Sequence, residues 1–136
     1  MIEDDKSLVV VTADSTALTA GRDAVVPRLV ANAGDRAARR FLEFFAATIH
    51  NENTRTAYYY ACRRFFAWCD KRSEIAILAD IEPMHVAAYI RDMGHAFEKP
   101  TVKQHLAAVR MLFDWLVTGQ VVATNPAHAV RGPKPW

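Results

Sequence analysis

The sequence is poor in cysteine, with two in 136 residues, too few for a disulfide-stapled scaffold. Cys62 and Cys69 are expected on one helix, where seven residues separate their α-carbons by roughly 10 Å, beyond disulfide reach. They are expected to be reduced core thiols. The five histidines (His50, His85, His95, His105, His128) are scattered and not paired with the cysteines, so neither a metal nor any other cofactor is expected. No apolar run approaches the about eighteen residues of a membrane span, and MIEDDKSLVVV opens with acids where a secretory signal needs a basic region. The expectation is a soluble, cytoplasmic protein without a membrane partner. A convergent set of acid, base and nucleophile is also missing, which argues against a small hydrolase and against a small-molecule substrate.

Acids are scarce in two particular stretches. Residues 53–72 hold Arg55, Arg63, Arg64, Lys71 and Arg72 against the single acid Asp70, and residues 100–136 hold four bases against Asp114. Residues 1–34 run the other way, with five acids and three bases. The net charge of +2 conceals this polarity. Few helical ion pairs are available to the basic stretches, so their charge wants an anionic partner.

About half the residues are apolar, enough for one small domain with a core. Its centre is residues 54–69, TRTAYYYACRRFFAWC. At 100° per residue, Tyr58, Ala61, Cys62, Phe65, Trp68 and Cys69 share one sector, the pattern of a helix laid on a core. The opposite sector gathers Thr56, Tyr60, Arg63 and Lys71, flanked by Arg55 and Arg64.

Three further helices are expected. The first covers about 35–50, with Asp35 as N-cap, Ala38, Phe41, Leu42, Phe45 and Ile49 inward, and Arg36, Arg39 and Arg40 at its start. Another covers about 83–93, opening on Pro83, ending at Gly94 and burying Val86, Ala87, Tyr89, Ile90 and Met93. The last, TVKQHLAAVRMLFDWLVTG, is capped by Thr101 and stopped by Gly119. It buries Val102, His105, Leu106, Val109, Leu112, Phe113 and Leu116 and turns Lys103, Gln104, Ala107, Arg110 and Asp114 outward. Residues 1–34, interrupted by Gly21, Pro27 and Gly34, are expected to be a mobile arm, with at most a brief unpartnered strand at 8–12. Residues 125–136, rich in proline, read as a linker.

TRTAYYYACRRFFAWC followed by TVKQHLAAVRMLFDWLVTGQVVATNPAHAVRGPK resembles the core-binding domain of tyrosine recombinases, the phage-integrase, Xer and Cre group. The resemblance covers residues 41–134. It implies an all-α, compact four-helix orthogonal bundle like a SAM domain at 35–124, between the arm and a linker towards an absent catalytic domain. It also implies double-stranded DNA as the partner, possible contact with other recombinase protomers, and DNA contacts at Thr56, Tyr60, Arg63, Arg64, Lys103, Gln104 and Arg110. No catalytic residues are expected in this chain, because the family's tyrosine nucleophile and its arginines, lysine and histidines belong to the second domain. His128 and Arg131 have the family's His-x-x-Arg spacing, but they do not follow the linker and no tyrosine lies beyond them. The alternative is a protein-interaction bundle in which Tyr59, Tyr60 and Phe66 are exposed and pack on a partner helix.

Overall fold

The computed structural model describes residues 8–11 and 24–133. A short antiparallel hairpin, β1 (Leu8–Val11) and β2 (Ala24–Pro27), precedes the helices α1 (Arg28–Ala31), α2 (Asp35–Glu43), α3 (Glu52–Asp70), α4 (Pro83–Gly94) and α5 (Lys99–Thr118). The architecture is helical, as the sequence implies, with α3 and α5 forming the largest helix–helix interface. Cys62 of α3 donates its Sγ proton towards the Ala108 carbonyl of α5, 3.8 Å away. Both cysteines are buried and free, and burial pushes their thiols well above the ordinary range.

The core is largely aromatic. Phe41, Phe45, Tyr59, Phe65, Phe66, Tyr89 and Phe113 meet edge-on or tilted, with centroids 5.1 to 6.4 Å apart in contacts such as Phe41 with Phe45 and with Tyr59. Such geometry sets the positive edge of one ring against the negative face of the next. Tyr58 and Trp68, expected inside, are half-buried, whereas Tyr59 and Phe66 are 8% and 1% exposed. The buried sector of α3 is thus rotated slightly from the one its periodicity suggested. β2 lies against that flank, and Phe41 of α2 meets Tyr59 and Phe66 there.

Helix boundaries shift for local reasons. Gly34, with φ of 116°, takes the N-cap position expected of Asp35, a backbone conformation that glycine adopts without steric cost. The helix expected to reach residue 50 widens into a π-helix at Phe44–Thr48, which lets Phe44 and Phe45 both bury. Asn51 caps α3, accepting the Thr54 amide at 2.9 Å. In α5 the cap position is Glu98, and Thr101 lies inside the helix. Gly119 does close α5, but its role is space: a Cβ there would stand 3.0 Å from Arg40 Cδ, and Gln120 takes the positive φ instead.

Two tails differ from expectation. Residues 24–33 are not part of an arm: Val26 and Val30 are fully buried, Leu29 is 3% exposed, and Tyr59 donates its hydroxyl to the Val25 carbonyl at 2.6 Å. The strand at 8–11 has a partner after all, in β2. Residues 1–7 and 12–23 of the expected arm lie outside the described residues. Residues 125–133 are docked on α5. Asn125 Nδ2 donates to the Arg110 carbonyl and to Asp114, and Pro126 and Ala127 are buried. The remainder of the expected linker, 134–136, lies outside the described residues.

Candidate nucleic-acid interface

The outward strip of α3 carries Asn53, Thr56, Tyr60, Arg64 and Lys71, all exposed, with Arg63 half-buried beside them. Tyr60 is 57% exposed, unusual for a large aromatic side chain. The Arg63 guanidinium lies 5.3 Å from the Tyr60 centroid and 5.6 Å from that of Tyr59, and the two rings meet at 5.4 Å. That contact holds the guanidinium over ring faces without neutralising it. Among the described residues, no acid forms an ion pair with Arg63, Arg64, Lys71 or Lys103. The periodicity argument therefore found a face whose charge remains uncompensated in the fold.

Arg64 links this strip to α5. Its guanidinium sits 4.9 Å over Phe97, and Phe97 stacks on His105 at 6.0 Å, one residue past Gln104. Lys103 and Gln104 are both exposed there. Phe97 was not singled out in the sequence, although an aromatic residue in the short polar turn between α4 and α5 is a usable signal. His105 is half-buried, and its Nδ1 lies 2.9 Å from the Thr101 carbonyl. Burial holds its pKa below the ordinary histidine value, the hydrogen bond opposes that, and the Arg64 charge adds to it.

Arg110 is placed differently from the other expected contacts. Its guanidinium donates to the Ala127 carbonyl at 3.3 Å and to the Val130 carbonyl, clasping the returning chain onto α5. The same chain passes close to Lys103, since a Cβ on Gly132 would lie 3.6 Å from Lys103 Cγ. Arg55, a flank of the expected basic face, donates to the carbonyls of Phe45 and Ile49 at 2.9 and 3.0 Å, closing the π-helix. Arg36 donates to the Gly119 carbonyl at 2.9 Å, a cation at the negative end of α5, and Arg40 pairs with Glu43. Of the seven expected contacts, Thr56, Tyr60, Arg63 and Arg64 share the α3 strip, Lys103 and Gln104 share the start of α5, and Arg110 stands apart.

Residues 37–121 match the family model described as phage integrase, N-terminal SAM-like domain. The chain belongs to that family. No curated protein and no solved structure matches it. The matched span of the integrase SAM-like domain runs from α2 through α5, so the hairpin and the docked segment 125–133 flank it. Among the described residues of this integrase domain, no helix is long and apolar enough to cross a membrane, and no three His, Cys, Asp or Glu residues cluster as metal ligands would.

Proposed function

We propose that this integrase-family chain is the DNA-binding part of a site-specific tyrosine recombinase, clamping duplex DNA during integration or recombination in the cytoplasm. It supplies no catalytic residue itself. The carrying observation is the basic strip along α3 and its C-cap, where Tyr60, Arg63, Arg64 and Lys71 face outward with no acid among the described residues in an ion pair with them. Thr56 and Tyr60 are suited to donate to phosphate oxygens, and Arg63, Arg64 and Lys103 to neutralise them. Gln104 is the candidate base contact, because its amide can pair with the adenine edge. The rival interaction bundle loses support, since two of its three exposed aromatics, Tyr59 and Phe66, are buried.

A salt titration of binding to labelled duplex, read by anisotropy, tests this. Arg63, Arg64, Lys71 and Lys103 make about four phosphate contacts available, which corresponds to a slope of log affinity on log salt of about −3.6. Arg63→Ala and Arg64→Ala should each flatten the slope by about one contact, with little change in thermal midpoint. Gln104→Ala should reduce discrimination between sites and leave the slope nearly unchanged. Equal affinity of wild type and both arginine variants at every salt concentration would overturn the proposal.

A further inference from the structure

The arginines around the α3 strip are held in different ways. Arg36, Arg55 and Arg110 donate to backbone carbonyls, and Arg40 and Arg72 pair with Glu43 and Asp92. Arg64 is exposed, forms no ion pair among the described residues, and lies with its guanidinium 4.9 Å over the Phe97 ring. A ring face orders a guanidinium without cancelling its charge. The other cation–ring contacts among the described residues stay within α3 and its C-cap: Arg63 over Tyr59 and Tyr60, and Arg72 over Trp68. Arg64 is thus the α3 cation whose ring comes from elsewhere in the chain, the turn between α4 and α5.

Phe97 is itself fixed. Its amide donates to the Met93 carbonyl at 2.9 Å, its half-buried ring packs on the core, and the His105 ring stacks on it at 6.0 Å with an interplanar angle of 24°. The His105 ring is tethered in turn, with Nδ1 2.9 Å from the Thr101 carbonyl near the start of α5. A line of contact therefore runs from α5 through His105 and Phe97 to Arg64. Lys103 and Gln104 stand exposed beside His105 in α5. An arginine loses rotamer freedom when it grips a phosphate, and one already laid on a ring has lost part of it beforehand.

We propose that Phe97 is a positioning residue for DNA binding: its ring holds the Arg64 guanidinium in register with Lys103 and Gln104, so that one duplex meets α3 and α5 together. The role rests on the DNA-binding reading; the stack of Arg64, Phe97 and His105 does not. Phe97 touches no phosphate itself and acts through Arg64. Arg63, by contrast, lies over rings of its own helix, so its aim does not depend on the α4–α5 turn.

The test uses Phe97→Leu, which keeps an apolar side chain on the core but removes the ring, and Phe97→Tyr, which keeps the ring. Without DNA, the Arg64 Nε–H signal in nuclear magnetic resonance should move in Phe97→Leu and stay near its wild-type position in Phe97→Tyr. An unmoved signal in Phe97→Leu would overturn the proposal. With labelled duplex at low salt, Phe97→Leu should bind about two- to fivefold more weakly than wild type, the range of one exposed cation–ring contact, and Phe97→Tyr should bind as wild type does. Phe97→Leu should keep the wild-type slope of log affinity on log salt, since the charge remains, whereas Arg64→Ala flattens it by about one contact. In an Arg64→Ala background, Phe97→Leu should weaken binding no further. An undiminished loss in that background would mean that Phe97 acts through the fold alone, and equal binding by wild type and Phe97→Leu would mean that it does not act at all; either result overturns the positioning role and leaves the DNA-binding reading intact. If the Arg64 signal responds as expected but wild type binds no duplex, the DNA-binding reading falls and the positioning role with it.

Discussion

Among the arginines of this chain, position on a helical wheel does not decide the role. Arg63 and Arg110 both point away from the apolar stripe of their helices, yet Arg63 rests on ring faces and Arg110 holds two carbonyls of a segment fifteen or more residues downstream. The wheel reads direction and cannot see that residues 125–133 return over α5. Arg110→Ala should leave those two buried-side carbonyls without a donor, costing about 1–3 kcal/mol and exposing the segment to protease, while the salt slope of DNA binding stays unchanged. Thermal melting and limited proteolysis read the first effect, and anisotropy reads the second. His105 was expected on the apolar stripe, and half-burial against Phe97 makes it sensitive to pH. Its folded pKa lies below the unfolded value of 6.5, so the unfolded chain takes up the proton first. Its favourable contribution is whole above that value and is lost as pH falls through the folded pKa. The thermal midpoint should therefore decline below about pH 6.5 more steeply in wild type than in His105→Gln.

Elements built on local periodicity were legible, and those built on distant pairing were not. The stripes of α2, α4 and α5 repeat at helical spacing and bury nearly the residues they mark. LVVV reads as an orphan strand, because its partner, Ala24–Pro27, lies beyond residues 12–23 in the sequence and a strand's register depends on its partner. The π-helix was equally hidden, since Arg55, which donates to its Phe45 carbonyl and to the adjoining Ile49 carbonyl, lies on the next helix. The hairpin and α1 bury Val26, Leu29 and Val30 against α2 and α3. At about 1.5–3 kcal/mol for each fully buried aliphatic side chain, their loss exceeds what a small domain spares. Deleting residues 1–34 should lower the thermal midpoint by more than about 10 °C, whereas deleting residues 1–5 should leave it nearly unchanged. Tyr59→Phe, which removes only the hydrogen bond to Val25, should cost about 1 kcal/mol by denaturant melting.

At the scale of the whole molecule, the distribution of tyrosines and cations bears on whether this chain does chemistry on DNA. Attack on a phosphate needs an exposed nucleophile with several cations converging on the same oxygen atoms. Tyr59 and Tyr89 are 8% and 2% exposed, burial raises both phenols above their ordinary pKa, and Tyr59 donates to a backbone carbonyl. Tyr60 is exposed, but among the described residues Arg63 is the one cation over its ring. Arg36, Arg55 and Arg110, which could otherwise have joined a phosphate site, are held by carbonyls of the fold. Among the described residues the arrangement offers phosphates a graded basic surface and no convergent centre, which supports the proposed role of holding a duplex. Incubation of the purified chain with supercoiled plasmid and candidate site duplex should yield no nicked product and no covalent protein–DNA adduct on a denaturing gel. Tyr60→Phe should weaken duplex binding modestly, through loss of a phosphate donor, with nicking at the background level in both proteins. An adduct that disappears in Tyr60→Phe would make Tyr60 a nucleophile and would require the strip to be reread as a catalytic surface.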